Sequence, residues 1–220
     1  MKILITGSSK GIGLNAAMYF LRKGFEVYGI DLLPSSIENS HYHHYIADIS
    51  HKDSLPEIKD LDYIFNNAGL QNCDDDISNN LKGTINVTEK YAFQSNIKSV
   101  LFNASASANT GDEFPEYVAS KAGIIGYMKN VAIRLAKYGA TANSLSLGGV
   151  TTESNKPVMV DKDCWQKIMD ATPLQKWMSE DEVSEWVYFL LVTNKSASGI
   201  DVLVDNGEAN LRSTFVWPNK

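Results

Sequence analysis

The feature that most constrains this chain is the repeated alternation of short, mostly apolar runs with longer amphipathic stretches. Ile3–Thr6, Glu26–Ile30, Tyr45–Ala47, Tyr63–Phe65, Ser99–Asn103, Ala142–Leu147 and Asp201–Val204 read as strands. Ile12–Lys23, Asn80–Gln94, Tyr117–Tyr138 and Glu180–Leu191 read as helices. A strand without a polar face must be buried on both sides, which is the condition of a parallel sheet between helical layers. The expected fold class is α/β: a Rossmann-type doubly wound parallel sheet with helices on both faces, as a single domain over residues 1–220. Ligands of such sheets lie beyond the carboxyl ends of the strands. The residues that follow each strand are therefore the first candidates for function.

The first strand runs into Thr6-Gly7-Ser8-Ser9-Lys10-Gly11-Ile12-Gly13 and then a helix. Gly7 permits a tight turn, Gly11 lets backbone approach a pyrophosphate, and Gly13 lets the helix pack close to the sheet. The helix N-terminus offers unpaired N–H groups and the positive end of its dipole to that anion. Asp31 ends the second strand, 18 residues after Gly13. A carboxylate there accepts hydrogen bonds from ribose hydroxyls and repels a 2′-phosphate, which favours NAD(H). Lys10 pulls toward NADP(H), the alternative, because a cation beside the turn attracts a phosphate. Asp48, with Ile49, is placed to meet the adenine. Asn66-Asn67-Ala68-Gly69 follows the fourth strand, where small residues let backbone run along the cofactor.

Tyr117 and Lys121 stand four residues apart, on one helix face. A free tyrosine has a pKa near 10 and moves protons poorly at pH 7; a nearby ammonium favours the phenolate and is expected to lower it. Ser105 follows the fifth strand and can donate to the substrate oxygen in the same cleft; Ser107 is the nearby alternative. Bulk properties narrow the field. A net charge of −6 disfavours nucleic acid and an anionic membrane surface. Cys73 and Cys164 have neither metal spacing nor the numbers for a disulfide scaffold, and the apolar run at the N-terminus is too short for a signal peptide or a membrane span. The expected compartment is the cytoplasm.

In their order along the chain these pieces resemble the short-chain dehydrogenase/reductase family: Thr6-Gly7-x-x-x-Gly11-Ile12-Gly13, Asp48, Asn66-Asn67-Ala68-Gly69, Asn80, Ser105, Tyr117-x-x-x-Lys121 and Asn143…Gly148. The resemblance implies catalytic roles for Asn80, Ser105, Tyr117 and Lys121. Tyr117 would be the general acid/base and Ser105 would polarise the carbonyl. Lys121 would also hold the nicotinamide ribose, and Asn80 would support a water linking it to solvent. The implied cofactor contacts are Gly7, Ser9, Lys10, Gly11, Ile12, Gly13, Asp31, Asp48, Ile49, Asn67, Ala68, Gly69, Tyr117, Lys121, Val150 and Thr152. The implied substrate is a small carbonyl or alcohol, with a 3-oxoacyl thioester as one candidate. A homodimer or homotetramer through Asn80–Gln94 and Tyr117–Tyr138 is also implied.

The sequence departs from the family pattern in three places. Leu147 stands where proline is usual, so that Leu147-Gly148-Gly149 is expected to loosen the nicotinamide side. The spacing from Ser105 to Tyr117 is one residue short. The gaps from Asp48 to Asn66 and from Asn66 to Asn80 are short too, which truncates the flanking helices and leaves Gln71–Asn79 as an acidic loop. Residues 151–177 stand where the family has a substrate lid, here rich in Met and Trp. His41, His43, His44 and His51 cluster, but their spacing matches no zinc motif, and no metal is expected. Leu211–Lys220, with Phe215 and Trp217, reads as a subunit contact. A cofactor-binding sensor without turnover is the competing reading; a sugar epimerase would need a larger C-terminal domain.

Overall fold

The structure is a computed structural model describing residues 1–211, so the proposed tail contact at Phe215 and Trp217 lies outside the described residues. The chain begins with β1 (Lys2–Thr6), α1 (Gly11–Arg22), β2 (Glu26–Asp31), β3 (Tyr42–Ile46) and β4 (Tyr63–Asn66). A wide π-type turn over Ile77–Lys82 leads into α2 (Gly83–Tyr91). Then come β5 (Ser99–Asn103), the single turn α3 (Ser107–Thr110), α4 (Pro115–Leu135) and β6 (Thr141–Leu147). Two short helices, α5 (Lys156–Val160) and α6 (Lys162–Ala171), precede α7 (Glu180–Tyr188) and β7 (Asp201–Val204). Among the described residues the strands form one parallel sheet in the order β3-β2-β1-β4-β5-β6-β7. The order reverses between β1 and β4, which opens a crevice at their carboxyl ends.

Alternation along the central strands feeds two cores. Ile3 and Ile5 of β1, Phe65 of β4 and Leu101 of β5 pack with Phe20 of α1 and Val183 and Val187 of α7. Their neighbours Leu4, Ile64, Val100 and Phe102 face the other way, onto Val87 of α2 and Ile124, Met128 and Val131 of α4. Each such side chain contributes about 1.5–3 kcal/mol on burial, so a register slip of one residue is opposed from both faces.

Several boundaries move from the sequence expectation. The third strand is Tyr42–Ile46 rather than Tyr45–Ala47, because pairing with β2 carries His43 and His44 into an edge strand. The helix expected over Tyr117–Tyr138 is α4, which starts two residues earlier with Pro115 in its first turn; Ala136–Tyr138 continues only as a tight 3₁₀ turn. The helix expected from Asn80 starts instead in the π-type turn at Ile77 and ends at Tyr91. The connection between Asp48 and Asn66 is short, as expected: between β3 and β4 the only helical element described is the turn Lys52–Ser54. No described helix is long and apolar enough to cross a membrane.

Close approach of α1 to β1 sets the crevice. Gly7 has φ +69° and Gly11 φ +55°, a region open to glycine. A Cβ on Gly13 would lie 2.0 Å from the Gly7 carbonyl oxygen and 2.6 Å from Asn67 Nδ2. Backbone cannot yield as a flexible side chain does. Gly13→Ala is therefore expected to destabilise the fold by about 1–3 kcal/mol and to lower Tm by several degrees in a circular-dichroism melt. An unchanged Tm would show that α1 is free to shift.

Candidate active site

A cavity of about 640 Å³ runs across the carboxyl ends of the strands, from β2 and β3 to the N-terminal part of α4. Its size is that of small-molecule and cofactor sites, about 300–1,000 Å³. Gly7, Lys10, Gly11, Ile12, Asp31, Asp48, Ile49, Asn67, Ala68, Gly69, Tyr117, Lys121 and Thr152 line it, so most of the sequence-predicted contacts are brought together.

At the β2 end, Asp31 reaches both neighbouring loops. Oδ2 accepts from the Ser9 N–H at 2.9 Å, and Oδ1 accepts from the Leu33 N–H at 2.9 Å. Asp48 faces the cavity and also caps its own turn, accepting from the Ser50 N–H (2.8 Å) and hydroxyl (2.7 Å). In the middle, Asn67 ties the ends of β1 and β4. Its N–H donates to Thr6 Oγ1, and its Nδ2 donates to the Thr6 carbonyl, each at 3.0 Å. Asn103 Nδ2 donates to Asn67 Oδ1 at 3.0 Å.

At the far end, Lys121 is 4 % exposed, and its Nζ donates to the Asn103 carbonyl at 2.9 Å. Nζ lies 5.5 Å from the Tyr117 ring centroid. Burial pushes the Tyr117 phenol up to about 12, against the lowering effect of the Ser105 hydroxyl. Burial likewise pulls the Lys121 ammonium down to about 8, although the carboxylates of Glu113 and Asp76 act to raise it. The expectation that Lys121 lowers the Tyr117 pKa therefore does not hold for the protein by itself. Desolvation penalises the charged form of both groups, and Nζ is directed at a backbone carbonyl.

Five predicted residues stand behind the cavity rather than on its wall. Ser9 binds Asp31 and, through its hydroxyl, the Leu33 carbonyl at 3.0 Å. Gly13 lies under Gly7. Val150 is buried and bridges to Met178. Ser105, 5 % exposed, accepts from the Ser107 hydroxyl at 2.8 Å, so the alternative serine supports the first. Asn80 is fully buried: Oδ1 accepts from the Leu70 N–H (2.7 Å), and Nδ2 donates to the Leu70 carbonyl (2.8 Å) and to Ser120 Oγ (3.1 Å). Its side chain thus pins the rim after β4.

Other expectations change. Gly148 and Gly149 do not loosen the turn: a Cβ on Gly148 would lie 2.7 Å from Asp205 Cβ, and one on Gly149 would lie 1.9 Å from Trp177 Nε1. Asp76 of the expected acidic loop is buried, accepting from the Asn72 N–H (3.0 Å) and the Cys73 thiol (2.8 Å). The histidine side chains go to different partners: His43 to Glu26, His44 to the Leu33 carbonyl and His51 to Asp48. Sequence reasoning missed Asn103, Leu33, and the pair in which Gln71 Nε2 donates to Glu113 Oε2 at 2.6 Å across the mouth. Asn103 stands two residues before Ser105, at the end of a strand, and that position was its available signal.

These walls fit a dinucleotide. Glycine backbone at the turn leaves room for a pyrophosphate, the Asp31 carboxylate stands at one end, and Asn103 Oδ1 is a buried acceptor without a partner among the described residues. The comparisons with known proteins agree. The short chain dehydrogenase family profile matches residues 1–163. A 3-oxoacyl-[acyl-carrier-protein] reductase of Buchnera aphidicola is 27 % identical, over 89 % of this chain and 91 % of its own length. The 2-dehydro-3-deoxy-D-gluconate 5-dehydrogenase of Escherichia coli is 24 % identical, over 93 % of each chain. Among solved structures, a 4-hydroxyisoleucine dehydrogenase mutant complexed with NADH and succinate superposes with TM-score 0.88 at 23 % identity, covering 97 % of this chain and 100 % of that one. A putative 2-deoxy-D-gluconate 3-dehydrogenase of Agrobacterium tumefaciens with bound NADP gives 0.84 at 22 %, covering 94 % and 95 %. The structural likeness establishes the fold, and with the profile matched over most of its length the chain belongs to the short-chain dehydrogenase family.

Proposed function

We propose that this protein is an NAD(H)-preferring oxidoreductase that interconverts a small carbonyl compound and its secondary alcohol, with Tyr117 as general acid/base. The observation that carries this reading is one cavity with Asp31 at one end and Tyr117 and Lys121 at the other, with Ser105 behind the wall beside the Tyr117 phenol. A nicotinamide dinucleotide held there supplies or takes up the hydride. Glycine turn residues Gly7 to Gly13 hold the pyrophosphate, Asp31 the adenosine ribose, and Asn67, Ala68, Gly69, Val150 and Thr152 the nicotinamide half. The chain's own groups manage the proton. The Tyr117 phenol gives its proton to the carbonyl oxygen during reduction and removes it from the alcohol during oxidation, while the Ser105 hydroxyl steadies that oxygen. Lys121 holds the adjoining ribose and stabilises the phenolate once it forms.

Asp31 outweighs Lys10 in cofactor choice, because its carboxylate is fixed by two backbone donors whereas Lys10 is solvent-exposed. The Buchnera relative makes a 3-oxoacyl thioester one candidate substrate. Glu113 beside the mouth works against a substrate with a carboxylate next to the reacting carbon. We further propose residues 151–177 as the lid over that mouth, a cytoplasmic location, and a homodimer or homotetramer through α2 and α4; Ile133 of α4, 76 % exposed, supports the last. A sensor without turnover would need the cavity but not the full set of Asn80, Ser105, Tyr117 and Lys121, and that set favours catalysis.

Tyr117→Phe is expected to bind NADH as the wild type does and to lose turnover on a carbonyl and alcohol panel by 100-fold or more, on the order of a general acid/base contribution of 10²–10⁴. Wild-type binding without turnover on any panel member would favour the sensor, and binding of neither cofactor would remove the whole reading.

Lys121→Met should lose turnover yet raise Tm at pH 7, since the wild type buries a charge there. The bond to the Asn103 carbonyl offsets part of this gain. With a folded pKa depressed to about 8, the wild type bears the full cost below that pH and sheds it as pH rises toward the unfolded value. The Tm difference between variant and wild type should therefore narrow from pH 8 upward. A variant that is less stable at every pH would show that Lys121 is neutral or structurally required.

A further inference from the structure

The end of the cavity beside Asp31 is closed by a ring of hydrogen bonds. The Leu33 peptide is gripped on both sides. Its N–H donates to Asp31 Oδ1, while its carbonyl accepts from Ser9 Oγ at 3.0 Å and from His44 Nε2 at 2.8 Å. A carbonyl only accepts, so Nε2 of His44 carries a proton. Behind His44, the Tyr42 hydroxyl lies 3.2 Å from Nδ1 and 3.0 Å from Ser8 Oγ, bridging the two, and the two rings stack at 26° with centroids 6.0 Å apart. Ser8 is fully buried within the glycine turn, and Ser9 next to it donates its N–H to Asp31 Oδ2. The ring thus runs from the turn through Asp31, Leu33, His44 and Tyr42 and back to the turn. Gly29 makes it feasible, since a Cβ there would meet the Tyr42 hydroxyl at 2.2 Å and Ser8 Oγ at 2.4 Å.

We infer that His44 is a positioning residue for cofactor choice: by pinning the Leu33 carbonyl it holds the loop after β2 against the Asp31 end of the cavity, so that exclusion of a 2′-phosphate rests on a fixed wall as well as on the charge of Asp31. This deepens the dinucleotide reading and rests on it. Leu32 and Leu33 line the cavity and are 57 % and 46 % exposed, so little packing holds them there. Polar contacts are what keep this loop in place, and among the described residues the side-chain tie to Leu33 from the neighbouring strand β3 is the one from His44. Charge repulsion by Asp31 requires that the phosphate be unable to step aside. If the loop could retreat, a phosphate would gain both distance from the carboxylate and access to Lys10.

The test is a calorimetric titration of wild type, His44→Ala and His44→Gln with NADH and with NADPH, each variant first checked for an intact melt. Glutamine keeps an N–H donor at the reach of Nε2; alanine does not. We expect the wild type to prefer NADH, His44→Ala to lose about five- to tenfold of that preference, the equivalent of one hydrogen bond, and His44→Gln to regain most of it. Ser9→Ala, which removes the other side-chain donor to the same carbonyl, should shift the preference in the same direction and serves if His44→Ala does not fold. A wild type that prefers NADH alongside an unchanged ratio in His44→Ala or, failing that, in Ser9→Ala overturns the inference and leaves the dinucleotide reading intact. Failure of His44→Gln to recover also overturns it, by showing that the donor is not what matters. A wild type that binds neither nucleotide removes the underlying reading itself.

Discussion

One line of polar contacts holds the site together, and the rest of the structure depends on it. It starts at Thr6, at the end of β1, passes through Asn67 after β4 to Asn103 at the end of β5, and finishes at Lys121 on α4. Strands of a parallel sheet end with backbone groups that have no further ladder partner. At the switch point between β1 and β4, no crossing chain covers them. Buried polar groups left unpaired are costly, about 1–3 kcal/mol each, whereas each bond made contributes about 0.5–1.5 kcal/mol net. The line is therefore worth more as a constraint than as a sum of bonds. It fixes the spacing between the glycine turn and the lysine, which is the spacing a two-ended ligand has to match.

Electrostatics at the far end follow from that burial. Lys121 cannot leave its position without orphaning the Asn103 carbonyl, and where it stands its charge is poorly solvated. Two carboxylates compensate. Asp76 is buried in the rim loop, and Glu113 is held by Gln71 across the mouth. Glu113 has φ +88°, a conformation that costs a non-glycine residue about 1–3 kcal/mol, and it occurs in the shortened stretch between Ser105 and Tyr117. Shortening that connection by one residue thus has a physical result. The chain reaches α4 through the left-handed Gly111 and the strained Glu113, and a carboxylate comes to rest near the phenol.

Much of this was legible in the sequence. The parallel sheet followed from strands without a polar face, and most of the cavity wall from the rule that function follows strands. What was not legible depended on contacts between distant segments. His43 and His44 fall outside the strand expected at Tyr45–Ala47 because histidine carries little hydrophobic signal, yet pairing with β2 makes them strand. Asp76 looked like one of three solvated acids, and only the fold shows backbone donors from Asn72 and Cys73 converging on it. Spacing along the helix reveals the attraction between Tyr117 and Lys121 but not the burial acting on each. Burial is set by packing of α4 on β6 and the rim, which no local pattern reports.

The Gly148–Gly149 turn shows how a local rule can mislead. Removing a proline and adding a glycine ordinarily increases freedom. Here Leu147 remains in the sheet, paired with Val204, with its carbonyl accepting from the Ala106 N–H. Rigidity comes instead from outside the turn. The Met178 N–H donates to the Gly149 carbonyl, the Thr151 N–H donates to the Met178 carbonyl, and the Trp177 indole fills the space a side chain on Gly149 would need. Trp177 in turn meets Trp165 of α6 edge-on at 5.0 Å. The C-terminal end of residues 151–177 is thereby sewn to the glycine turn. The short helices between Glu153 and Ala171 bury few side chains, so in the lid proposed above any opening would be taken up there rather than at the glycines, where the sequence alone would place it.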